Sequence, residues 1–422
     1  MKAENTKGDE GNTNSSKRRS NSSDSQKKRT LIKTSLELEK THSKDEKPSM
    51  WARFKVKMSN FKNNIKYNTF TLNSFLDYYA YEVIRVFDQI YLTKDDFDKF
   101  SNELYYVIYL TYRSDFPPVW NYKNETKYAT DCGWGCMIRT GQMIFARGVQ
   151  LVKFREAIQN IKNLKKANNL DNSSKLNLTN LTMETIMLFM ENYLPCESNS
   201  ESKSVPNPFS IQNICNQGEL LGKAAGEWFS DVNMINILSK LNSEYQPIKN
   251  LQVLHFTEGV IYGNQILENT CNDSKFLIFI SVRQGLTKLT SEYIQSIKDF
   301  FQLPYNIGII GGRDYNAHYF IGSAGENLLY LDPHLNQSTV KSKEDLIKDP
   351  SSYLKKQIYQ TNLNNMSPAF TLGFCIQGEE EYDTLISALK IYTNQPYAIF
   401  SYKEREEKGI SDPWQLKEED DF

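Results

Sequence analysis

The segment that most constrains this chain is the run Gly-Trp-Gly-Cys at residues 133–136, which leads directly into an amphipathic stretch. Two glycines around a tryptophan favour a compact turn, and residues 136–152 have the periodicity of a helix. The pattern therefore predicts that the thiol of Cys136 lies at a helix N-terminus. Unpaired backbone N–H groups and the helix dipole favour the thiolate there, and the thiolate is the nucleophilic form. We expect Cys136 to act as a nucleophile.

The bulk composition is that of a globular chain that works in a reducing compartment. The 422 residues are 39% hydrophobic, which is enough for one large domain or two ordinary ones. The net charge of −1 gives no argument for a nucleic-acid partner, and none is expected. The six cysteines have no spacing that suggests a disulfide framework. The N-terminus is polar, and no apolar run reaches the roughly 18 residues of a membrane span. We expect a cytoplasmic protein.

The first 72 residues form two segments of different character. Residues 1–50 contain no aromatic side chain, so they cannot bury enough apolar surface to order, and we predict a disordered basic and polar tail. Residues 51–72 are a basic amphipathic segment, with apolar residues at steps of three and four and no acid between 51 and 67. A helix of this kind can contact an anionic membrane surface, or it can pack on the main domain. Its apolar residues are Trp51, Phe54, Met58, Phe61 and Ile65.

The main domain is expected from 73 to 402, with helices first and strands later, followed by a charged C-terminal tail at 403–422. Residues 160–205 lose periodicity apart from a short apolar helix near 183–193, and we predict a surface insertion there. Helix followed by sheet indicates an α+β domain, with the helix of Cys136 packed on an antiparallel sheet. The predicted helices cover 93–108, 136–152, 211–241, 291–301 and 379–392. The predicted strands cover 276–282, 306–310, 317–323, 327–332, 369–376 and 397–402.

A cysteine nucleophile needs a base, and the chain has only four histidines. His42 lies in the predicted tail, and His255 lies in an apolar run, which favours a core role. His334 ends Leu-Asp-Pro-His, where Asp332 projects to the same side of an extended chain and can orient the imidazole. His318 is the rival, because Asn316 stands two residues away. Spacing alone does not choose between the two histidines.

A zinc site is the other interpretation of these residues. Cys132, Cys136, His318 and His334 could supply four ligands, and the spacing of the two cysteines is acceptable for zinc. The two histidines lack the compact spacing of a zinc motif. We therefore expect no metal and no cofactor.

Several motifs together resemble the autophagins, the cysteine endopeptidases of autophagy, over roughly residues 100–400. They are Thr-Tyr-Arg at 111–113 with Phe-Pro at 116–117, Gly-Trp-Gly-Cys-Met-Ile-Arg at 133–139, Gly-Glu-Trp-Phe at 226–229, Gly-Leu-Thr at 285–287, Gly-Gly at 311–312 with Ala-His-Tyr-Phe-Ile-Gly at 317–322, and Leu-Tyr-Leu-Asp-Pro-His at 329–334. The resemblance implies a papain-like α+β fold with a small inserted subdomain. It also implies cleavage after the C-terminal glycine of a ubiquitin-like autophagy modifier, both in its precursor and in its conjugate with phosphatidylethanolamine.

The resemblance also assigns roles to residues. It implies that Cys136 is the nucleophile, His334 the base and Asp332 its orienting partner. It further implies that Tyr112 helps the Cys136 N–H hold the oxyanion.

For substrate binding, the resemblance implies that Trp228 and the loop after Gly312 cover the cleft. Asn316 and His318, beside that loop, are expected to contact substrate. The alternatives are another thiol hydrolase specific for ubiquitin-like proteins and a non-catalytic modifier-binding protein.

Two positions depart from the family pattern. Asp314 replaces a proline that family members often carry in the loop after Gly312, which affects how that loop packs on Trp228. Cys132 stands four residues before Cys136, where a non-cysteine is usual. It is either a bystander or a thiol that caps Cys136 in a disulfide under oxidation.

Overall fold

The computed structural model describes residues 74–165, 174–191, 207–268, 273–313 and 316–406. The chain divides into two units, Met1–Ser59 and Asn60–Phe422, and every described residue belongs to the second. The predicted tail 1–50, the basic segment 51–72 and most of the tail 403–422 lie outside the described residues, so these domain assignments stay predictions. Within the described part, no helix is both long enough and apolar enough to cross a bilayer.

Helices dominate the first half of the described chain and strands the second half. The helices are α1 Phe97–Tyr106, α2 Cys136–Lys165, α3 Ser174–Met187, α4 Ile211–Leu220, α5 Asp231–Tyr245, α6 Gly263–Leu267, α7 Ile294–Phe300, α8 Lys343–Lys348, α9 Ser351–Leu354 and α10 Gly378–Thr393. The strands are β1 Ser74–Phe75, β2 Val83–Val86, β3 Gln89–Leu92, β4 Arg113–Asn121, β5 Thr126–Thr130, β6 Leu251–Phe256, β7 Val260–Tyr262, β8 Lys275–Arg283, β9 Asn306–Arg313, β10 Asn316–Ala324, β11 Asn327–Leu331, β12 Gln337–Ser338, β13 Tyr359–Asn362, β14 Met366–Gln377 and β15 Ser401–Lys403.

One large sheet organises the fold, in the order β1-β13-β11-β10-β9-β14-β8-β6, with β2 and β3 attached beside β10. Its strand pairs are antiparallel except for β6 and β8, which run parallel and so depart from the purely antiparallel prediction. A smaller sheet joins β12, β4 and β5, and β15 pairs with β7. The predicted strand at 397–402 is shorter than expected, because only 401–403 is extended and paired.

The main sheet has an apolar core on each face. Along β8, Leu277 and Phe279 belong to the cluster that contains helix α2, whereas Phe276 and Ile278 belong to the cluster that contains α10. This alternation follows from the two-residue period of a strand. Burial on both faces also explains why β8 is apolar at almost every position.

Helix α2 packs on the sheet through β9, β10 and β14, as the sequence predicts for the helix of Cys136. The helix continues to Lys165, beyond the predicted end at 152. Gly148 lets α2 approach β8 closely, because a Cβ atom there would lie 2.4 Å from the Cδ2 of Leu277. Packing on the sheet, with the close approach that Gly148 allows, fixes the distance between α2 and the sheet. It therefore also fixes the position of Cys136, the first residue of the helix.

Two segments differ from the expected helices. The stretch 211–241 is two helices, because the chain turns between α4 and α5 at Gly222 and Gly226, whose φ angles are +78° and +88°. The segment between the two helices contains Trp228. Within 160–205, α3 begins earlier than the predicted helix, and Ile186 and Phe189 join the core.

Candidate active site

The turn before α2 is built around Asp131. The backbone carbonyl of Asp131 accepts hydrogen bonds from the N–H groups of Trp134 (3.2 Å) and Gly135 (2.8 Å), which folds the chain back just before Cys136. Gly133 adopts a φ of +91°, a conformation that favours glycine. A side chain at Gly135 would collide with Asp131, because a Cβ atom would lie 2.5 Å from Oδ2. The two glycines of the motif therefore have separate structural causes, and Cys136 begins the helix.

A fully buried ion network holds this turn. The Nε of Arg139 lies 2.6 Å from Oδ2 of Asp131, and its Nη1 lies 2.5 Å from Oε1 of Glu191, with all three side chains inaccessible to solvent. Burial opposes the charge of Arg139, but the two carboxylates raise its pKa. Asp131 also accepts the N–H of Arg113 at 2.7 Å. Removing any member would leave an unpaired charge in the core, so the network fixes the start of α2 against β4.

The loop after β11 brings Asp332 and His334 to the start of α2. The Tyr109 hydroxyl donates to the carbonyl of Asp332 at 2.6 Å. The N–H of Tyr112 donates to the carbonyl of Pro333 at 3.0 Å, and the carbonyl of Tyr112 accepts from Gln337 at 2.9 Å. The segment before β4 and this loop are thus joined by backbone hydrogen bonds, although they are more than 200 residues apart in sequence.

Asp332 and His334 form the charged part of the site. Nδ1 of His334 lies 2.5 Å from Oδ1 of Asp332, and the His334 N–H donates to the same oxygen at 3.0 Å. Burial opposes ionisation of Asp332, but the charge and hydrogen bonds of His334 hold the pKa of that carboxyl well below its usual range. Burial also opposes the charge on His334, yet Asp332 and then Cys136 raise the pKa of His334 to about 9. The imidazole therefore carries a positive charge at neutral pH.

The thiol of Cys136 faces this imidazolium. Burial disfavours the thiolate, but the hydrogen bond and the charge of His334 favour it, and the net effect of the surroundings is to lower the pKa of Cys136. The backbone N–H of Ala317 and the hydroxyl of Tyr112 also donate to the sulfur and lower its pKa further. A thiolate and an imidazolium in contact are the ground state that nucleophilic attack by cysteine requires.

Tyr112 contacts this pair, and Trp228 contacts the turn that precedes it. Tyr112 is buried, and its ring is 5.4 Å from that of His334 at an interplanar angle of 88°. Trp228 is 62% exposed, and its Nε1 donates to the carbonyl of Gly133 at 3.3 Å. The indole thus stands over the turn that precedes Cys136. Asp314 and Tyr315, in the loop expected to face Trp228, lie outside the described residues.

His318 does not lie on the surface of the site. It is 1% exposed, its Nδ1 is 3.1 Å from the carbonyl of Asn316, and its Nε2 is 4.0 Å from Oδ2 of Asp332. Burial lowers the pKa of His318 to about 3, so this imidazole is neutral. The structure gives His318 no accessible surface for the substrate contact expected from the sequence, whereas Asn316 is half-buried.

The same cluster is the described group with metal-ligand spacing. Ligand atoms of His318, Asp332 and His334 lie within 4.8 Å of one another, and neither cysteine of the zinc interpretation belongs to this group. The short bond between Asp332 and His334 engages Nδ1 of the imidazole and Oδ1 of the carboxylate with each other. The residues present therefore fit acid–base chemistry better than metal binding.

Sequence reasoning missed several residues that position the site. Tyr109, Asp131, Arg139 and Glu191 hold the two loops, and the Ala317 N–H contacts the sulfur. One signal was available: Arg139 falls within the apolar stretch of α2, where a charged side chain implies a buried partner. The sequence pattern does not identify that partner, because Glu191 lies 52 residues away from Arg139.

The fold and this arrangement of thiol, imidazole and carboxylate define a cysteine-type peptidase of the α+β, papain-like class. The chain belongs to the Peptidase C54 family, since the model of the Peptidase C54 catalytic domain matches residues 97–388.

Similar proteins agree with this assignment. Cysteine protease ATG4C of Xenopus tropicalis is 26% identical over 338 residues, which cover 72% of this chain and 74% of the relative. Cysteine protease ATG4C of Homo sapiens is 24% identical over 353 residues, covering 72% and 75%. Probable cysteine protease atg4 of Aspergillus niger is 24% identical over 318 residues, covering 68% and 72%. The predicted family, fold class and type of enzyme are confirmed.

Proposed function

We propose that this peptidase cuts after the C-terminal glycine of a ubiquitin-like autophagy modifier, both to mature the precursor and to release the modifier from phosphatidylethanolamine. Family membership and the names of the relatives support a cysteine protease of the autophagin type. The observation that carries the proposal is the contact of the Cys136 thiol with the imidazole of His334, whose Nδ1 is bound to Asp332 at 2.5 Å; the lowered pKa of Cys136 and the pKa of about 9 for His334 agree with it. That pair supplies both a nucleophile and a proton donor for the leaving amine.

The reaction uses the residues in two steps. The sulfur of Cys136 forms a bond to the glycine carbonyl carbon, and the oxygen takes the negative charge. The hydroxyl of Tyr112, which now donates to the sulfur, turns to this oxygen together with the Cys136 N–H. The C–N bond then breaks, and His334 gives its proton to the departing amine. Water attacks the thioester, returns a proton to His334 and frees the thiol.

The selectivity for glycine follows from the space above the sulfur. The indole of Trp228 donates to the carbonyl of Gly133, three residues before Cys136, and this contact supports a role for Trp228 in limiting the space for a substrate side chain. A peptide without a Cβ atom passes under the indole, whereas a bulkier residue meets it. Asn316 is half-buried beside Ala317, and this partial exposure supports the proposal that it contacts the same strand of substrate.

The partners and the cellular location belong to the same proposal. The substrate is the modifier, free or linked to lipid, and the enzyme acts in the cytoplasm with recruitment to autophagosomal membranes. Residues 51–67 add an anionic-membrane contact through five basic residues with no acid among them. They precede a peptidase domain at 73–402 whose insertion at 160–205 contributes helix α3 to the core.

The test is cleavage of the modifier carrying a short extension after its glycine, followed by mass spectrometry. We expect cutting after the glycine by the parent, and loss of at least about 10³-fold in rate for Cys136→Ala and His334→Ala. His255→Gln is the matched control, because His255 makes two hydrogen-bonding contacts outside this site.

Full activity in His334→Ala would exclude this base. A folded parent that cuts no modifier would favour another thiol hydrolase or a modifier-binding protein. A release assay with modifier conjugated to vesicles then measures delipidation separately.

A further inference from the structure

A group of exposed apolar side chains extends outward from Trp228, and three of its four members have no part in the proposed reaction. Tyr122 at the tip of the β4–β5 hairpin is 68% exposed, and Leu220 and Leu221 at the end of α4 are 70% and 51% exposed. Trp228 completes the group at 62%. We call these four residues the apolar rim. Large apolar side chains grouped on a surface mark a place where another surface binds.

Contacts between the hairpin and the loop after α4 hold the rim together. The Nδ2 of Asn121 donates to the carbonyl of Ala225 at 2.5 Å. The ammonium of Lys123 lies 2.8 Å from the carbonyl of Gly222 and 3.1 Å from Oε1 of Glu227. One lysine therefore bridges the residue after Leu221 and the residue before Trp228. The rim is a single surface built from two segments that are about a hundred residues apart.

The rim is continuous with the cleft. Trp228 both belongs to the rim and donates to Gly133, three residues before the nucleophile. Farther out, the ring of Trp120 lies 5.9 Å from that of Tyr122, so the aromatic surface continues along the hairpin. A partner that covers the rim must also lie at the mouth of the cleft.

The charges around the rim cancel. Lys123, Lys127 and Lys223 are matched in number by three acids of the same two segments, which are Glu125, Glu219 and Glu227. A surface without net charge does not select its partner by attraction to an opposite charge. Its exposed tryptophan, tyrosine and leucines have the amphipathic composition that settles at the boundary between lipid and water.

We propose that the apolar rim is a docking surface for a phospholipid bilayer, and that it holds the cleft at the membrane while the lipid-linked modifier is cut. This inference rests on the proposed function. In that substrate the amide to be cut joins glycine directly to the ethanolamine of a membrane lipid, so the sulfur of Cys136 must come within a few bonds of the headgroup layer. A surface continuous with the cleft meets this requirement without relying on the basic segment 51–67.

The test is flotation of the full chain with neutral vesicles of phosphatidylcholine and unconjugated phosphatidylethanolamine, which give a basic segment nothing to bind electrostatically. We expect roughly tenfold weaker vesicle binding for Leu220→Ser/Leu221→Ser than for the parent, and a smaller loss for Leu220→Ser alone. Ile391→Ser is the matched control, because Ile391 is 71% exposed on α10. Release of modifier from vesicles should fall with binding, while cleavage of the lipid-free precursor stays unchanged.

Each outcome decides one question. Equal flotation of the parent, the rim variants and Ile391→Ser would overturn the proposal, as would binding that requires anionic lipid and ignores the rim. Slower cleavage of the lipid-free precursor by the rim variants would also overturn it, because the rim would then dock the modifier. A parent that floats through its rim but cuts no precursor would support the membrane contact and contradict the proposed function.

Discussion

Among the described residues, two side-chain arrangements each join a nucleophile, an imidazole and an orienting group. They differ in the charge of the imidazole. In the first, Cys136 contacts His334, which is bound to the carboxylate of Asp332. In the second, Oγ of Ser281 lies 2.8 Å from Nε2 of His255, whose Nδ1 lies 2.8 Å from Oδ1 of Asn236. Both distances in the second arrangement are ordinary hydrogen-bond lengths.

The charge of the imidazole separates them. Asp332 and then Cys136 raise the pKa of His334 to about 9, whereas burial lowers the pKa of His255 to about 4. One histidine is charged at neutral pH and the other is neutral. The hydroxyl of Ser281 is also engaged by Thr371, 2.7 Å away, which in turn donates to Asp231. Geometry therefore identifies candidates, and the orienting group decides which of them can activate a nucleophile.

The largest effect is expected for Asp332→Asn, which replaces the carboxylate of the first arrangement with an amide like that of the second. We expect a loss of roughly 10³–10⁴-fold in kcat, because the imidazole loses its charge partner and its fixed tautomer. The pH profile carries a second signature. Parent activity should decline above about pH 9, where His334 loses its proton, and fall at acid pH, where Cys136 gains one.

In Asp332→Asn the alkaline decline should move to lower pH, because the carboxylate that raised the pKa of His334 is gone. Asp231→Asn is the matched control, since this carboxylate accepts a hydrogen bond from Thr371 and lies in the other arrangement. An unchanged alkaline limb in Asp332→Asn would show that Asp332 does not set the protonation of His334.

A smaller effect is expected for Tyr112→Phe, which removes a donor that the serine arrangement does not have. One oxyanion donor contributes roughly 10²–10³ in rate, so we expect kcat to fall within that range while KM changes little. In the parent the hydroxyl of Tyr112 lowers the pKa of the Cys136 thiol. Its removal should raise that pKa, so the acid limb of the pH profile should move to higher pH. Tyr109→Phe tests the alternative that any tyrosine hydroxyl near the loop is needed only for structure.

The substitution Asn236→Asp gives His255 a carboxylate partner and tests whether the orienting group sets the charge of the imidazole. Asn236 is exposed on α5, so the substitution is tolerated there. We expect the pKa of His255 to rise above its present value of about 4, with no change in peptidase activity. Nuclear magnetic resonance titration of the imidazole measures this pKa. A titration midpoint that does not move would mean that burial alone controls His255.

The smallest effect is expected for Ser281→Ala. If the second arrangement has no part in hydrolysis, precursor cleavage should match that of the parent within a factor of about two. A modest loss of stability, on the order of 1 kcal/mol, should follow because Thr371 and His255 lose a hydrogen-bond partner. A large loss of activity without unfolding would show that this region contributes to the reaction.

The sequence predicts much of this molecule where the cause is local. The glycine turn before Cys136, the apolar strand at 276–282 and the strands at 317–323 and 327–332 follow from short-range rules, and the structure has all of them. The side-chain roles carried over from the resemblance stay predictions, although the structure brings Cys136 and His334 into contact.

What the sequence does not predict depends on long-range contacts. The partners of Arg139 are 8 and 52 residues away, and no pattern names them. The parallel pairing of β6 with β8 joins segments about 20 residues apart, and α5 packs on β6 beside it. The burial of His318 follows from the strands on both sides of β10, and that removed it as a surface contact.

The close approach at Gly148 has a genetic consequence. A methyl group there meets the side chain of Leu277 rather than backbone, so the helix must rise or the leucine must yield. Raising α2 by even about 1 Å would carry Cys136 away from His334, which sits on a different loop, and misalignment of that size can cost about 10²-fold in rate. Gly148→Ala should therefore behave as a conditional allele, inactive when warm although every residue of the site is intact. Leu277→Val should act as its suppressor, restoring the enzyme from a position far from the chemistry.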